Sequence, residues 1–387
     1  MFERKGESVA KLQPITGTVL RWALEDAGIK PHKVEMQLGF PDGSITAWMT
    51  EAEQPNQGQL TLLAKRLGRP SSFFFLAQPP NLAAVPVEFR RFAGTTKKPG
   101  QETLDGIRLA GRIQKTTAWV REEAQLGPVK VPHLVKSQPA EEAADTLRKW
   151  MRWSTAWQMM SANSDAAVTK AFRAALEDRG IVVMHLSLEE GLTRGFSLAS
   201  KSAPVIAANT KDPYRARLFS YAHELVHIAT GSTSVCDVHE SSDGLESFCN
   251  RVAAALLMPK KEFRAHVIAK MGSAKLATID DVSAVRARFK VSLRAAAIRA
   301  ENLGLGVSGL YDHVNKVAES KGKGGGGGGG RTKDIVRVDE YGSGFIRTVE
   351  SGVKAGVLRD VQAATLLRLS ETEWKKARDL AASRLSA

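Results

Sequence analysis

The stretch that decides the fold is residues 214–230, Tyr-Arg-Ala-Arg-Leu-Phe-Ser-Tyr-Ala-His-Glu-Leu-Val-His-Ile-Ala-Thr. It contains no proline or glycine, its apolar residues recur at helical spacing, and Gly231 follows as a helix stop. On a helix, residues four apart lie one above the other, so His223 and His227 project from one face and can share a metal ion. Glu224 lies beside them, where a carboxylate can take a proton from a metal-activated water molecule. The stretch therefore predicts a metal-binding helix with a hydrolytic base.

A catalytic zinc ion takes three protein ligands and keeps the fourth position for water, so one more ligand is needed. The first candidate is Glu246, which opens a second, largely apolar segment that ends at Pro259. Asn250 lies one helical turn after Glu246, on the same face. We predict that the Asn250 side chain hydrogen-bonds a ligand imidazole and fixes its tautomer.

Four other side chains compete for the third ligand position. Asp237 and His239 lie in the predicted loop between the two helices, where the rim of a site or bulk solvent is the ordinary location of such groups. His239 is also a candidate for stabilising an oxyanion. Cys236 and Cys249 are soft ligands, although small buried thiols are the more frequent outcome. A lone Glu246 would itself be solvated, and only its combination with the two histidines favours ligation.

The segment from Ala216 to Pro259 resembles the ImmA/IrrE metallopeptidases. These carry an Arg-x-Phe-x-x-Ala-His-Glu-Leu-x-His helix and a later Glu-x-x-x-Asn-x-x-Ala-Ala-x-Leu-Leu-Met-Pro helix, and both patterns are present. The resemblance implies that His223, His227 and Glu246 are zinc ligands and that Glu224 is the base. It further implies a gluzincin-like zinc endopeptidase that cleaves a regulatory protein, often a phage or stress repressor.

Composition limits the other classes of protein that the chain can belong to. Of its 387 residues 43% are hydrophobic, which is ordinary for a globular protein. Two cysteines cannot form a disulfide framework. The N-terminus lacks the apolar core of a signal peptide, and no apolar run is long enough to span a bilayer. We therefore predict a cytoplasmic protein with no membrane partner.

The net charge of +14 suggests attraction to polyanions. Its distribution along the chain is even, however. Residues 14–79 contain six basic and six acidic side chains, residues 80–180 contain 16 and 11, and residues 181–320 contain 17 and 14. This spread does not form the focused basic stripe that a DNA-binding surface requires.

We predict a predominantly helical α+β protein with four parts. Residues 14–79 form a helix-turn-helix bundle, and residues 80–320 form a zincin-like metallopeptidase domain with a small sheet and its catalytic part at about 165–270. Residues 321–330 are a glycine-rich linker, in which seven consecutive glycines allow either a native tether or an artificial fusion. Residues 331–387 form a small helical C-terminal domain, for which partner docking and covering of the active-site cleft are alternative roles.

The small sheet is predicted from β-branched content around 180–183, 195–197 and 204–209. We assign Val205 to Ala208 as an edge strand. Such an edge can pair with an extended substrate segment.

The N-terminal segment resembles the XRE-type helix-turn-helix found ahead of some ImmA/IrrE domains, in residues 47–55, 59–70 and 73–75. Ser44 and Thr46 are candidate base contacts, and Arg21 and Lys33 are candidate phosphate contacts. No lysine or arginine occurs between residues 34 and 64, which opposes DNA binding. The competing hypothesis is a helical module for dimerisation or substrate capture.

These patterns predict a zinc metalloendopeptidase with a repressor or toxin-like protein as its partner. Double-stranded DNA and a second copy of the chain are further candidate partners. The alternative function is a non-proteolytic, DNA-associated regulator or an antitoxin that sequesters a partner protein.

Overall fold

The structure is a computed structural model, and it describes residues 12–27, 29–67, 69, 71–79, 101–160, 164–189, 193–232, 234–237, 244–272, 274–320 and 331–384. The chain divides into two compact units, Met1–Phe89 and Arg90–Ala387. The described parts are mainly helical with one four-stranded sheet, in agreement with the predicted α+β class. The predicted linker at 321–330 lies outside them. No helix in the described ranges has the length and apolar character that crossing a membrane demands.

The first unit is built from short helices. They are α1 (Gly17–Ala27), α2 (Pro31–Leu38), α3 (Ser44–Met49), α4 (Gln57–Arg66) and a 3-10 turn at Ser71–Phe75. Gly39 ends α2 with a φ of 67°, a left-handed conformation that favours glycine. Glu35 then accepts a hydrogen bond from the Ile45 backbone N–H at 2.8 Å, which caps the start of α3. Trp48 and Phe74 fill the centre of this unit.

The second unit contains the remaining helices and the sheet. Its helices are α5 (Gln101–Glu123), α6 (Ala140–Met151), α7 (Thr155–Met160), α8 (Asp165–Asp178), α9 (Tyr214–Ala229), α10 (Gly244–Leu257), α11 (Lys260–Met271), α12 (Ile279–Phe289), α13 (Leu293–Asn302), α14 (Leu310–Ser320), α15 (Lys333–Tyr341), α16 (Ser343–Lys354), α17 (Asp360–Leu366) and α18 (Glu371–Ser383). Its strands are β1 (Val182–Leu186), β2 (Thr193–Leu198), β3 (Val205–Asn209) and β4 (Ser234–Asp237).

The sheet has the strand order β1-β3-β2-β4. β1 and β3 are parallel, whereas β2 is antiparallel to both β3 and β4. The prediction that Val205 to Ala208 form an edge strand is therefore wrong. Every residue of β3 is buried, as is typical of a strand covered on both faces and paired on both sides. The edges of the sheet are β1 and β4, and β4 lies in the segment that we predicted to be a loop.

The hydrophobic core of the second unit surrounds α9. All residues of α9 from Ser220 to Ala229 are buried. One side of the helix packs on β2 and β3, and the other packs on α8 and α10. A polar side chain on this part of α9 is therefore removed from bulk water and needs a partner within the protein.

The C-terminal helices α15 to α18, which we predict as a helical C-terminal domain, belong to the second compact unit. Of these helices, α15 and α16 contact β1, and α16 also contacts α5 and α8. At the contact, the buried Arg173 donates to Glu177 Oε1 at 2.8 Å and to the Asp339 carbonyl at 3.0 Å. Gly342, with a φ of 88°, approaches so closely that a Cβ atom there would lie 2.4 Å from Glu177 Oε1. The close approach at Gly342 packs α15 and α16 against β1, although a run of glycines precedes these helices in the sequence.

Candidate metal centre

Two packed helices supply the side chains of the candidate metal centre. Pro213 precedes α9 with a φ of −63°, and the helix continues without interruption to Ala229. His223 and His227 are four residues apart on α9, and α10 packs directly against this helix. Glu246 lies in the first turn of α10, where the helix dipole stabilises a carboxylate.

The three side chains converge on one point. His223 Nε2 and His227 Nε2 are 3.0 Å apart. Glu246 places Oε2 3.2 Å from the former and Oε1 3.2 Å from the latter. Ligands of a tetrahedral zinc ion, at about 2.0–2.1 Å from the metal, lie about 3.3 Å from each other. The separations between the donor atoms thus match those of ligands that would hold one zinc-sized ion.

The electrostatics of Glu246 suit a cation. Burial raises the pKa of this carboxyl, but hydrogen bonding with His223 and His227 lowers it by more, so the net pKa lies well below its ordinary range. The group is therefore ionised at neutral pH. One carboxylate and two imidazoles form a donor set typical of zinc.

The outer nitrogen of His227 is held by Ser232, whose Oγ lies 3.0 Å from Nδ1. We had predicted this role for Asn250. Asn250 is half-buried on α10, and no hydrogen bond joins it to either imidazole in the described chain. One turn of helix, about 5.4 Å, separates it from Glu246, and its side chain is short. Ser232 comes closer because the chain reverses at Gly231, which has a φ of 75°.

Glu224 lies between the ligand helix and the sheet. Its side chain is 1% exposed. A Cβ atom built on Gly195 of β2 would lie 3.7 Å from Glu224 Oε1 and only 2.7 Å from the Ala207 carbonyl oxygen. The absence of a side chain at Gly195 therefore leaves room for the β3 backbone, and β2 lies close to the Glu224 carboxylate at this position.

A buried polar network behind the ligand helix was not predicted from the sequence. Tyr221 of α9 hydrogen-bonds His185 Nε2, and Arg173 Nη1 lies 3.0 Å from His185 Nδ1. Burial, reinforced by the Arg173 charge, holds the pKa of His185 well below its usual range. Burial also raises the pKa of Tyr221 to about 12. Both groups are thus uncharged at neutral pH, and the network links the ligand helix to the C-terminal helices through Arg173.

The other candidate ligands differ in where they lie. Cys249 is fully buried in the hydrophobic core, which is the ordinary place for a free thiol. Asp237 and Cys236 belong to β4, whose side chains lie outside the described residues, as does His239 entirely. Within the residues that the structure does describe, the group that can hold a metal ion is His223, His227 and Glu246.

The candidate DNA contacts are scattered over the first unit. Arg21, Lys33 and Thr46 are exposed. Ser44, the first residue of α3, is 9% exposed. DNA binding by these four side chains stays a prediction.

The fold and the ligand group together define a helical domain with a small mixed sheet and a site for one metal ion. Residues 176–301 match the family model Peptidase M78, described as the IrrE N-terminal-like domain. The match covers about a third of the 387 residues and includes α9, β4 and α10. This part of the chain is thus similar to a metallopeptidase domain, as the ImmA/IrrE resemblance implied. No curated protein sequence matches the chain.

Proposed function

We propose that the second unit is a zinc-dependent endopeptidase that cleaves a regulatory protein, such as a repressor or a toxin-like partner. One observation carries the proposal. Glu224 directly follows His223 on α9 and is buried, and His223, His227 and Glu246 form a group that can hold one metal ion. A structural metal site has no use for an additional buried acid, whereas peptide hydrolysis requires a base at the metal.

His223, His227 and Glu246 would hold the zinc ion, which would act as a Lewis acid on a carbonyl group and lower the pKa of water. Glu224 takes the proton of the attacking water and delivers it to the amine of the leaving product, which is general acid–base catalysis. The Glu224 carboxylate lies close to β2 and has little access to solvent. Its electrostatic interactions are therefore stronger than they would be in water.

For peptide capture we propose β4 and not β3, because β3 lies inside the sheet. β2 lies against Glu224 through Gly195, and β4 is the next strand beyond β2. Within the described parts of the chain, the outer edge of β4 pairs with no other strand. An extended substrate segment that adds to this edge forms backbone hydrogen bonds independent of its side chains, as in other cases of strand addition.

The experiment uses the full-length protein loaded with zinc and a peptide library prepared from a cell proteome. New N-termini are identified by mass spectrometry. The wild-type protein is expected to create them, and Glu224→Gln, which keeps the shape of the side chain, is expected to bind zinc and create none. Glu122→Gln, on the exposed face of α5, is the matched control and should cleave as the wild type does.

Normal cleavage by Glu224→Gln overturns the assignment of the base. Zinc binding without any cleavage by the wild-type protein, together with retained repression or neutralisation by Glu224→Gln, supports the alternative regulator that sequesters its partner.

A further inference from the structure

We propose that Ser232 is a positioning residue of the metal centre. Its hydroxyl holds the His227 imidazole with the proton on Nδ1, so that Nε2 presents its lone pair to the metal ion. The inference rests on the metal site of the proposed function, but its test measures metal binding and the imidazole itself, without any cleavage.

The position of Ser232 follows from the way that α9 ends. The Ser232 N–H bonds the His227 carbonyl at 2.9 Å, and the Gly231 N–H bonds the Ile228 carbonyl at 3.0 Å. This pair of bonds, with Gly231 at a φ of 75°, is a Schellman motif. The motif turns the chain back over the last turn of the helix. Ser232 is thereby placed beside the ring of His227, five residues earlier.

The hydrogen bonds of the Ser232 hydroxyl determine its direction. Ser232 Oγ donates to the His227 carbonyl oxygen at 3.1 Å. Thr230 Oγ1 also donates to that oxygen, at 2.9 Å, and lies 3.0 Å from Ser232 Oγ. With its proton directed to a carbonyl, the Ser232 oxygen faces His227 Nδ1 as an acceptor, at 3.0 Å. An acceptor at Nδ1 requires Nδ1 to carry the hydrogen of the neutral ring.

This choice of tautomer has a consequence for metal binding. A neutral imidazole in water places its proton on either nitrogen, and only the form with a free Nε2 can bind a metal in this geometry. His227 is 1% exposed, so water contributes little to holding the ring. Loss of the Ser232 hydroxyl removes this acceptor from a buried Nδ1–H and so weakens the preference for the tautomer that can bind the metal. Groups of this kind contribute about 10–100-fold to metal affinity.

The test compares zinc affinity among full-length variants by competition with a chelator. Ser232→Ala is expected to bind zinc about 10–100-fold more weakly than the wild type. Ser232→Thr keeps the hydroxyl and is expected to recover most of this loss. Ser220→Ala is the matched control, because the Ser220 hydroxyl lies on α9 and donates to the Ala216 carbonyl within that helix. Its zinc affinity should equal that of the wild type.

A second readout follows the imidazole in the zinc-loaded protein. We expect the ¹H resonance of His227 Nδ1–H to lie downfield and to exchange slowly with solvent in the wild type and in Ser232→Thr, because the hydroxyl oxygen accepts this hydrogen. In Ser232→Ala the same hydrogen is expected to exchange faster. Unchanged zinc affinity and an unchanged Nδ1–H resonance in Ser232→Ala overturn this inference alone. Absence of zinc binding by the wild-type protein instead overturns the proposed function.

Discussion

His223 Nε2 and His227 Nε2 lie 3.0 Å apart, and Glu246 holds one carboxylate oxygen 3.2 Å from each of them. The carboxylate hydrogen-bonds the two imidazoles, so the side chains that can hold one metal ion are already drawn together.

Replacement of one ligand should abolish stoichiometric zinc binding. For His227→Ala we expect the zinc affinity to fall by more than about 100-fold. This loss is larger than the one expected for Ser232→Ala, because His227 is itself a metal ligand. The metal content of the purified variant measures this. His266→Ala is the control, because His266 is a half-buried histidine on α11, outside the ligand group. Equal zinc content in His227→Ala and the wild type would contradict the assignment.

Gly195→Ala should damage both the sheet and the site. The new Cβ atom would lie 2.7 Å from the Ala207 carbonyl oxygen, so β2 and β3 must move apart. Overpacking of this kind costs about 1–3 kcal/mol, measurable by urea denaturation. The movement also displaces Glu224, and we expect peptide cleavage to fall by more than the loss of folded protein explains.

The control for that variant is Gly111→Ala in α5. A Cβ atom at Gly111 has nothing within 4 Å. Alanine in place of glycine inside a helix stabilises by about 0.5–1 kcal/mol, so the two Gly→Ala variants should change stability in opposite directions. Equal stability of both variants would show that Gly195 is not closely packed.

The contact between the C-terminal helices and β1 depends on the buried pair of Arg173 and Glu177, which are joined at 2.8 Å. Arg173→Leu leaves the Glu177 carboxylate buried without its cation, which costs about 3–5 kcal/mol. The double variant Arg173→Leu, Glu177→Leu removes both charges and should recover much of that loss. Chemical denaturation of the two variants measures the difference. A double variant less stable than Arg173→Leu would exclude this explanation.

The stability of the protein should decrease in mild acid through His185. Burial and Arg173 keep the folded-state pKa of this histidine well below 6.5, so the unfolded chain binds its proton first as the pH falls. The contribution of His185 is therefore complete above pH 6.5 and declines below it, by at most about 1.4 kcal/mol per pH unit. His185→Gln should show a shallower loss of unfolding free energy between pH 6.5 and 5 than the wild type. If the unfolding free energies of the wild type and of His185→Gln changed equally with pH, folding would not lower the pKa of His185.

The local elements of the site were predictable from the sequence, because they depend on spacing within one helix. The helix over 214–230, the segment that carries Glu246 and three short strands all occur near their predicted positions. Pairing between strands depends on distant residues. The sequence of β3 therefore did not show that it lies between β1 and β2.

The remaining differences arise from backbone geometry at single glycines. The glycine run predicts where the C-terminal helices begin, but it does not predict that Gly342 approaches Glu177 closely. The left-handed turn at Gly231 brings Ser232 to His227, although the spacing of Asn250 from Glu246 was the stronger sequence signal. Local periodicity contains no information on either contact.

The most direct test of the metal centre is X-ray absorption at the zinc edge of the protein loaded with one equivalent of zinc. We predict two imidazoles, one carboxylate and one solvent oxygen at about 2.0–2.1 Å from the metal, with no sulfur neighbour. A sulfur shell at about 2.3 Å, which would mean ligation by Cys236 or Cys249, or a spectrum with fewer than two imidazoles, would contradict the assignment of His223, His227 and Glu246.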